Sequence, residues 1–334
     1  GLDHAALSAI LLDRLSLEPG ERVLLVASPG RFDPVVAGVR EGISAAGAVD
    51  LGAWAVDGTA PESWETDFTQ RLLVLGEDEL VPALRDVDAA IMMPGAEPVH
   101  PVYAGLQYVL REGRGRTIHF HWAGAYALDG TLLETDPAVD AFYQDVLAQT
   151  DYEALAGAQE RFENAMRGSL VRVTTPAGTD VSFRIGDRPV TRQDGDASGL
   201  RAASARNLID REVELPAGAI RVAPMEESVN GQIAFPPSSW SGEPVEGLVL
   251  SFEAGRVVEA HATLGIQAAI AEMEAAGPAG QAFREFALGF NPLLAIPAEG
   301  EPWIPYYGYG AGVTRLSLGD NTELGGAVGG GYVR

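Results

Sequence analysis

Ala5, Leu7, Ile10, Leu11 and Leu15 recur at helical spacing behind Asp3, which predicts an amphipathic opening helix over 4–15 with Asp3 as its N-cap. The texture then changes. Glu18, Pro19 and Gly20 make a turn, 22–27 (RVLLVA) is an unbroken apolar run of strand length, and 34–46 is helical again, ending at Gly47. The same alternation predicts a helix over 79–87, a buried strand over 89–93, a helix over 102–112 and a strand over 117–122. Strands alternating with helices imply a parallel sheet covered on both faces.

Helical stretches over 137–148 and 152–166 follow, the second of mixed charge with few strong apolar positions. From Ser169 onward the apolar runs shorten and are separated by Gly, Pro and Asp, predicting strands at 170–175, 181–185, 220–222, 232–235, 247–252 and 257–262. A helix over 266–275 interrupts them, a second is predicted over 279–288, and the stretch from Tyr307 to Gly331 is rich in glycine. The predicted fold is therefore an α/β N-terminal domain with a parallel sheet plus an α+β, mostly antiparallel C-terminal domain. Its expected boundaries are 1–150 for the first domain, 151–168 for a connecting helix and 169–334 for the second.

Charge and composition narrow the chemistry. The 334 residues carry 23 Lys and Arg against 47 Asp and Glu, a formal charge of −24. A field of that sign repels phosphate backbones and anionic lipid, so neither nucleic acid nor membrane is an expected partner. The absence of cysteine excludes disulfides, zinc-thiolate sites and thiol nucleophiles together. No apolar run reaches membrane-spanning length and no signal-type leader opens the chain, so a cytoplasmic location is the expectation. No Gly-x-Ser-x-Gly elbow, Walker A loop or complete Gly-x-Gly-x-x-Gly after a strand is present, despite 40 glycines.

More specific signals run in series through the second half. They are 171–183 (VRVTTPAGTDVSF), which reads as a hairpin, then 215–218 (LPAG), 223–224 (AP) and 228–231 (SVNG). After these come 252–258 (FEAGRVV), 285–289 (EFALG), 318–321 (LGDN) and the paired Gly325 and Gly326. In the first half, 17–24 (LEPGERVL) and 45–48 (AAGA) belong to the same series. In order and approximate spacing these motifs resemble the aminopeptidase T (M29) metallopeptidase family, which is related to 2,5-dihydroxypyridine dioxygenases.

The resemblance implies a C-terminal domain that holds divalent metal with Glu, His and Asp ligands, two ions in the peptidases and one iron in the dioxygenases. Such a cation needs several carboxylate or imidazole donors converging from different elements. This chain departs from that pattern. Ala219 follows Gly218 where the family carries a glutamate, Arg315 occupies the place of a family histidine, and the final His-x-Asp motif falls near Arg334. Thr322 lies near the place of the family tyrosine, and no histidine follows His261. Glu285 alone stands where a family ligand stands. The expectation is an M29-like protein with a largely lost metal site and no cofactor, binding a small molecule or peptide, with an anionic group held by Arg315 and Arg334. Asn230, Tyr306 and Tyr307 are the further binding candidates, and Glu285 is the catalytic candidate. The same arginines also fit a purely structural pairing with Glu285. The alternative is an active metallo-aminopeptidase, or an Fe(II) ring-cleaving dioxygenase, with zinc, cobalt, manganese or iron in a relocated site drawn from Glu226, Glu227, His261 and Glu285. Whether the protein is an enzyme stays open at this point, and the resemblance further implies a homodimer.

His119 and His121 lie two apart on a predicted strand, so both side chains leave the same face near the strand's C-terminal end, where ligands gather in open α/β sheets. They fit either a metal-binding pair or hydrogen-bonded histidines at a domain interface. Trp303, Tyr306, Tyr307 and Tyr309 form an aromatic cluster that fits either a pocket lining or a closing seam.

Overall fold

The protein is described from a computed structural model covering residues 1–122, 137–294 and 308–334. Tyr306 and Tyr307 lie outside the described residues. In chain order the strands are β1 (Arg22–Ala27), β2 (Val49–Ala55), β3 (Ala89–Met92), β4 (Arg116–Phe120), β5 (Val171–Thr174), β6 (Asp180–Phe183), β7 (Val190–Arg192) and β8 (Glu212–Leu215). They continue with β9 (Ala219–Val222), β10 (Asn230–Ala234), β11 (Ser238–Trp240), β12 (Glu243–Val245), β13 (Val249–Glu253), β14 (Arg256–His261), β15 (Phe283–Gly289) and β16 (Thr314–Leu318). Among the described residues no helix is long and apolar enough to cross a membrane.

The chain divides into two compact units that interleave along the sequence. The first comprises Gly1–Leu155, Gln193–Gly218 and Asn291–Ala311; the second comprises Ala156–Arg192, Ala219–Phe290 and Gly312–Arg334.

In the first unit, β2-β1-β3-β4-β8 form one parallel sheet. The β1 run is buried at every position from Val23 to Ala27, as a central strand with both faces covered must be. The opening helix spans His4–Leu15, and the Asp3 carboxylate caps it by accepting from the Ala6 amide at 3.0 Å. β8 enters this sheet beside β4 from more than ninety residues later in the chain, with Thr117 opposite Glu212 and His119 opposite Glu214. The sequence reading had not placed a strand there.

In the second unit, β14-β13-β10-β6-β5 and β16-β15-β9-β7 are two antiparallel sheets, and β11-β12 is a hairpin. Their shared core contains Phe183, Phe252, Phe283, Phe286, Trp240 and Leu318, with Ala269 and Met273 supplied by the Ile266–Ala275 helix. The architecture is thus the α/β plus antiparallel α+β class expected from the pattern of elements.

The expectation of a helix over 279–288 is overturned: a short 3-10 turn spans Gly277–Gln281, and 283–289 is β15. The cause is a β-bulge. Phe283 pairs with Leu318 and Glu285 with Ser317, so Arg284 is an extra residue in its strand. The bulge lets Phe283 and Phe286, three apart, both enter the core. A spacing of three is helical in sequence but is produced here by a strand. Phe286→Ala is expected to cost about 3–5 kcal/mol, read as a lowered denaturant midpoint, because its ring is buried between neighbouring strands.

Candidate functional site

β15 is an interior strand, paired with β16 on one side and β9 on the other. On it, Ala287 is flanked by Arg315 of β16 and Arg221 of β9. In a strand, residues two apart share a face, so Glu285 stands beside Ala287 on the side these arginines occupy. The alanine methyl leaves room for both long side chains to lean across to the carboxylate. Arg221 Nε donates to Glu285 Oε2 at 2.9 Å, and Arg315 Nη2 lies 3.2 Å from Oε1. An unbulged strand would turn Arg284 to the other face. The bulge instead brings its Nη1 within 2.7 Å of Glu285 Oε1, while Nη2 reaches Glu323 at 2.7 Å and Nε donates to the Asp320 carbonyl.

The Glu285 side chain is 2% exposed. Burial alone disfavours its ionised form, but the Arg221, Arg315 and Arg284 guanidiniums outweigh that penalty and hold its carboxyl below the ordinary glutamate range. Both carboxylate oxygens are engaged by fixed positive charge. Among the described residues, a divalent cation beside Glu285 would meet three guanidiniums, which cannot ligate it.

The remaining expected residues lie elsewhere. Arg334 sits over the Trp240 ring, 3.9 Å from its centroid, and reaches Glu272 at 3.3 Å, while its carbonyl accepts from the Leu318 amide. Asn230, on β10, accepts from the Ala254 amide through Oδ1 and lines an open groove of about 930 Å³ with Asp180, Gln232, Ser251 and Glu259. Glu226 pairs with Arg188 and accepts from the Ala327 amide and Asn321 Nδ2. His261 contacts its strand neighbour Glu259 at 2.8 Å, and both are exposed. Each thus has its own partners, and among the described residues Glu226, Glu227, His261 and Glu285 do not form a potential metal-binding group.

A different cluster does. His119, His121 and Glu214 each offer a ligand atom, and these atoms lie within 4.8 Å of one another. His119 is buried on β4, and His121 follows that strand, its amide donating to the Leu215 carbonyl of β8. His121 Nε2 is 3.9 Å from Glu214 Oε1. Burial lowers both imidazoles to about 4, outweighing the opposite pull of Glu214, so both rings are neutral near pH 7. Tyr103 Oη stands 3.0 Å from His119 Nδ1. Burial, followed by the Glu212 and Glu214 carboxylates, pushes the Tyr103 phenol above its usual range, so its proton is retained. The two histidines were legible as a strand pair. Glu214 was missed because its nearness to them comes from strand pairing. The available signal was the alternating 212–215 (EVEL), which presents Glu212 and Glu214 on one face of a short strand.

The model of the thermophilic metalloprotease (M29) family matches residues 198–293. Comparison with curated proteins returned no match. Among solved structures, wild-type AmpT from Thermus thermophilus is similar with a TM-score of 0.59 and 20% identity, covering 95% of this chain and 85% of that one. The family model and the shared fold bear out the resemblance carried by the motifs.

Glu285→Gln is expected to destabilise the protein by about 3–5 kcal/mol, measured by denaturant unfolding near neutral pH, since three guanidiniums lose their counter-charge. The sign of the pH effect follows from the depressed carboxyl. The Glu285 contribution is present above the ordinary glutamate pKa and is lost as pH falls through the lowered folded-state value. In wild type the acid limb of the stability profile should therefore be steeper than in Glu285→Gln.

Proposed function

With the M29 family resemblance and fold as premise, we propose that this protein no longer holds metal at the family position and instead binds a small anion on the arginines around Glu285. The observation that carries this reading is the saturation of a buried carboxylate by Arg221, Arg284 and Arg315. With Glu323 included, three guanidiniums face two carboxylates among the described residues of this network. Arg315 is the accessible one of the three arginines: its side chain is 48% exposed, and its Nη2 lies 3.2 Å from Glu285 Oε1. A guanidinium whose other N–H groups remain accessible favours a planar carboxylate or a tetrahedral oxyanion through paired hydrogen bonds.

The description of the matched family as a metalloprotease favours a second reading, metal-dependent removal of N-terminal residues from peptides. The two separate cleanly. Acetate, citrate and sulfate, compared with chloride at equal ionic strength, are expected to raise the melting temperature of wild type, and Arg315→Ala is expected to abolish the rise. A ligand at a hundredfold its Kd contributes about 2.7 kcal/mol, well within reach of the measurement. Release of product from fluorogenic aminoacyl amides in added zinc, cobalt or manganese, lost in Glu285→Gln with its fold retained, would establish the peptidase reading instead.

A further inference from the structure

We propose that His119, His121 and Glu214 form a binding site for a divalent transition-metal ion, of the zinc type, at the C-terminal end of the parallel sheet. The site lies wholly in the first unit and uses none of the arginine-cluster residues, so its outcome leaves the anion reading untouched.

Strand pairing generates the site. His119 and His121 leave the same face because they are two apart, and the parallel register places Glu214 directly across from His119. β4 ends at Phe120 and β8 at Leu215, so the three side chains stand near the C-terminal end of a parallel sheet, the end at which ligands gather in open α/β folds. Two imidazoles and one carboxylate are a recognised zinc donor set that leaves a fourth position for water or ligand, and the same donors suit cobalt and nickel.

The spacing fits an ion better than a direct bond. At 3.9 Å, His121 Nε2 and Glu214 Oε1 are too far apart for a hydrogen bond. That distance is still less than twice a metal–ligand length of about 2.0–2.2 Å, so one cation bridges the pair with small side-chain adjustments. Glu214 Oε2 is buried and has no hydrogen-bond partner among the described residues, an expense that a bound cation would remove. Tyr103, beside His119 Nδ1, is placed as an outer partner of the kind that fixes the orientation of a ligating imidazole.

The full chain, stripped with a chelator, dialysed against zinc and passed through a desalting column, is expected to retain one equivalent by mass spectrometry. Cobalt should replace it and give the intense visible band of a four-coordinate centre. His121→Gln and Glu214→Gln, checked for native circular dichroism, should each lose stoichiometric retention, while Arg315→Ala should keep it. X-ray absorption on zinc-loaded wild type needs no variant, and the expected result is a shell containing two imidazoles. Absence of retained metal, an oxygen-only shell, or full retention in both folded variants overturns the proposal.

Discussion

Removing a carboxylate from water is tolerable only if charge is supplied around it, and the sheet carrying Glu285 is arranged to meet that demand. The penalty is several kcal/mol per ion, so a carboxylate 2% exposed must be matched by nearby cations or become protonated. Three local features supply the match. Ala287 is small enough for Arg221 and Arg315 to lean across it, the bulge turns Arg284 inward, and Ser317 opposite Glu285 is buried without bulk. The lowered Glu285 carboxyl is the electrostatic consequence.

That arrangement bears directly on chemistry. A metal site needs lone pairs that converge with no competing cation, whereas guanidinium is permanently charged and offers none. Around Glu285 the neighbours are of this second kind, three guanidiniums that engage both carboxylate oxygens. His119, His121 and Glu214 show the opposite condition. His119 is buried and His121 half-buried, desolvation lowers both imidazoles, and the Glu214 carboxylate near them has one oxygen lacking a hydrogen bond among the described residues. The decisive difference is the kind of nitrogen beside the carboxylate.

Much of the fold was legible. The opening helix, β1 and the Ile266–Ala275 helix occupy the spans expected of them, β1 because its apolar run is unbroken and the opening helix because its apolar residues keep helical spacing. β15 was misread because its bulge places Phe283 and Phe286 on the same face, a spacing of three that a helix also produces. The three residues of β7 are too few to establish any period, and the four of β8 show only a single alternation.

By itself, the sequence determined the alternation of elements, the excess of acid and the lack of thiols. These are properties of residue identity and local spacing. Tertiary structure alone decided which charges meet: that Arg221, Arg284 and Arg315 converge on Glu285, that Arg334 is drawn to Glu272 and Trp240, and that Glu214 comes to face two histidines. Such encounters depend on strand order, register and one inserted residue, and pairing between distant segments leaves no periodic trace in the chain.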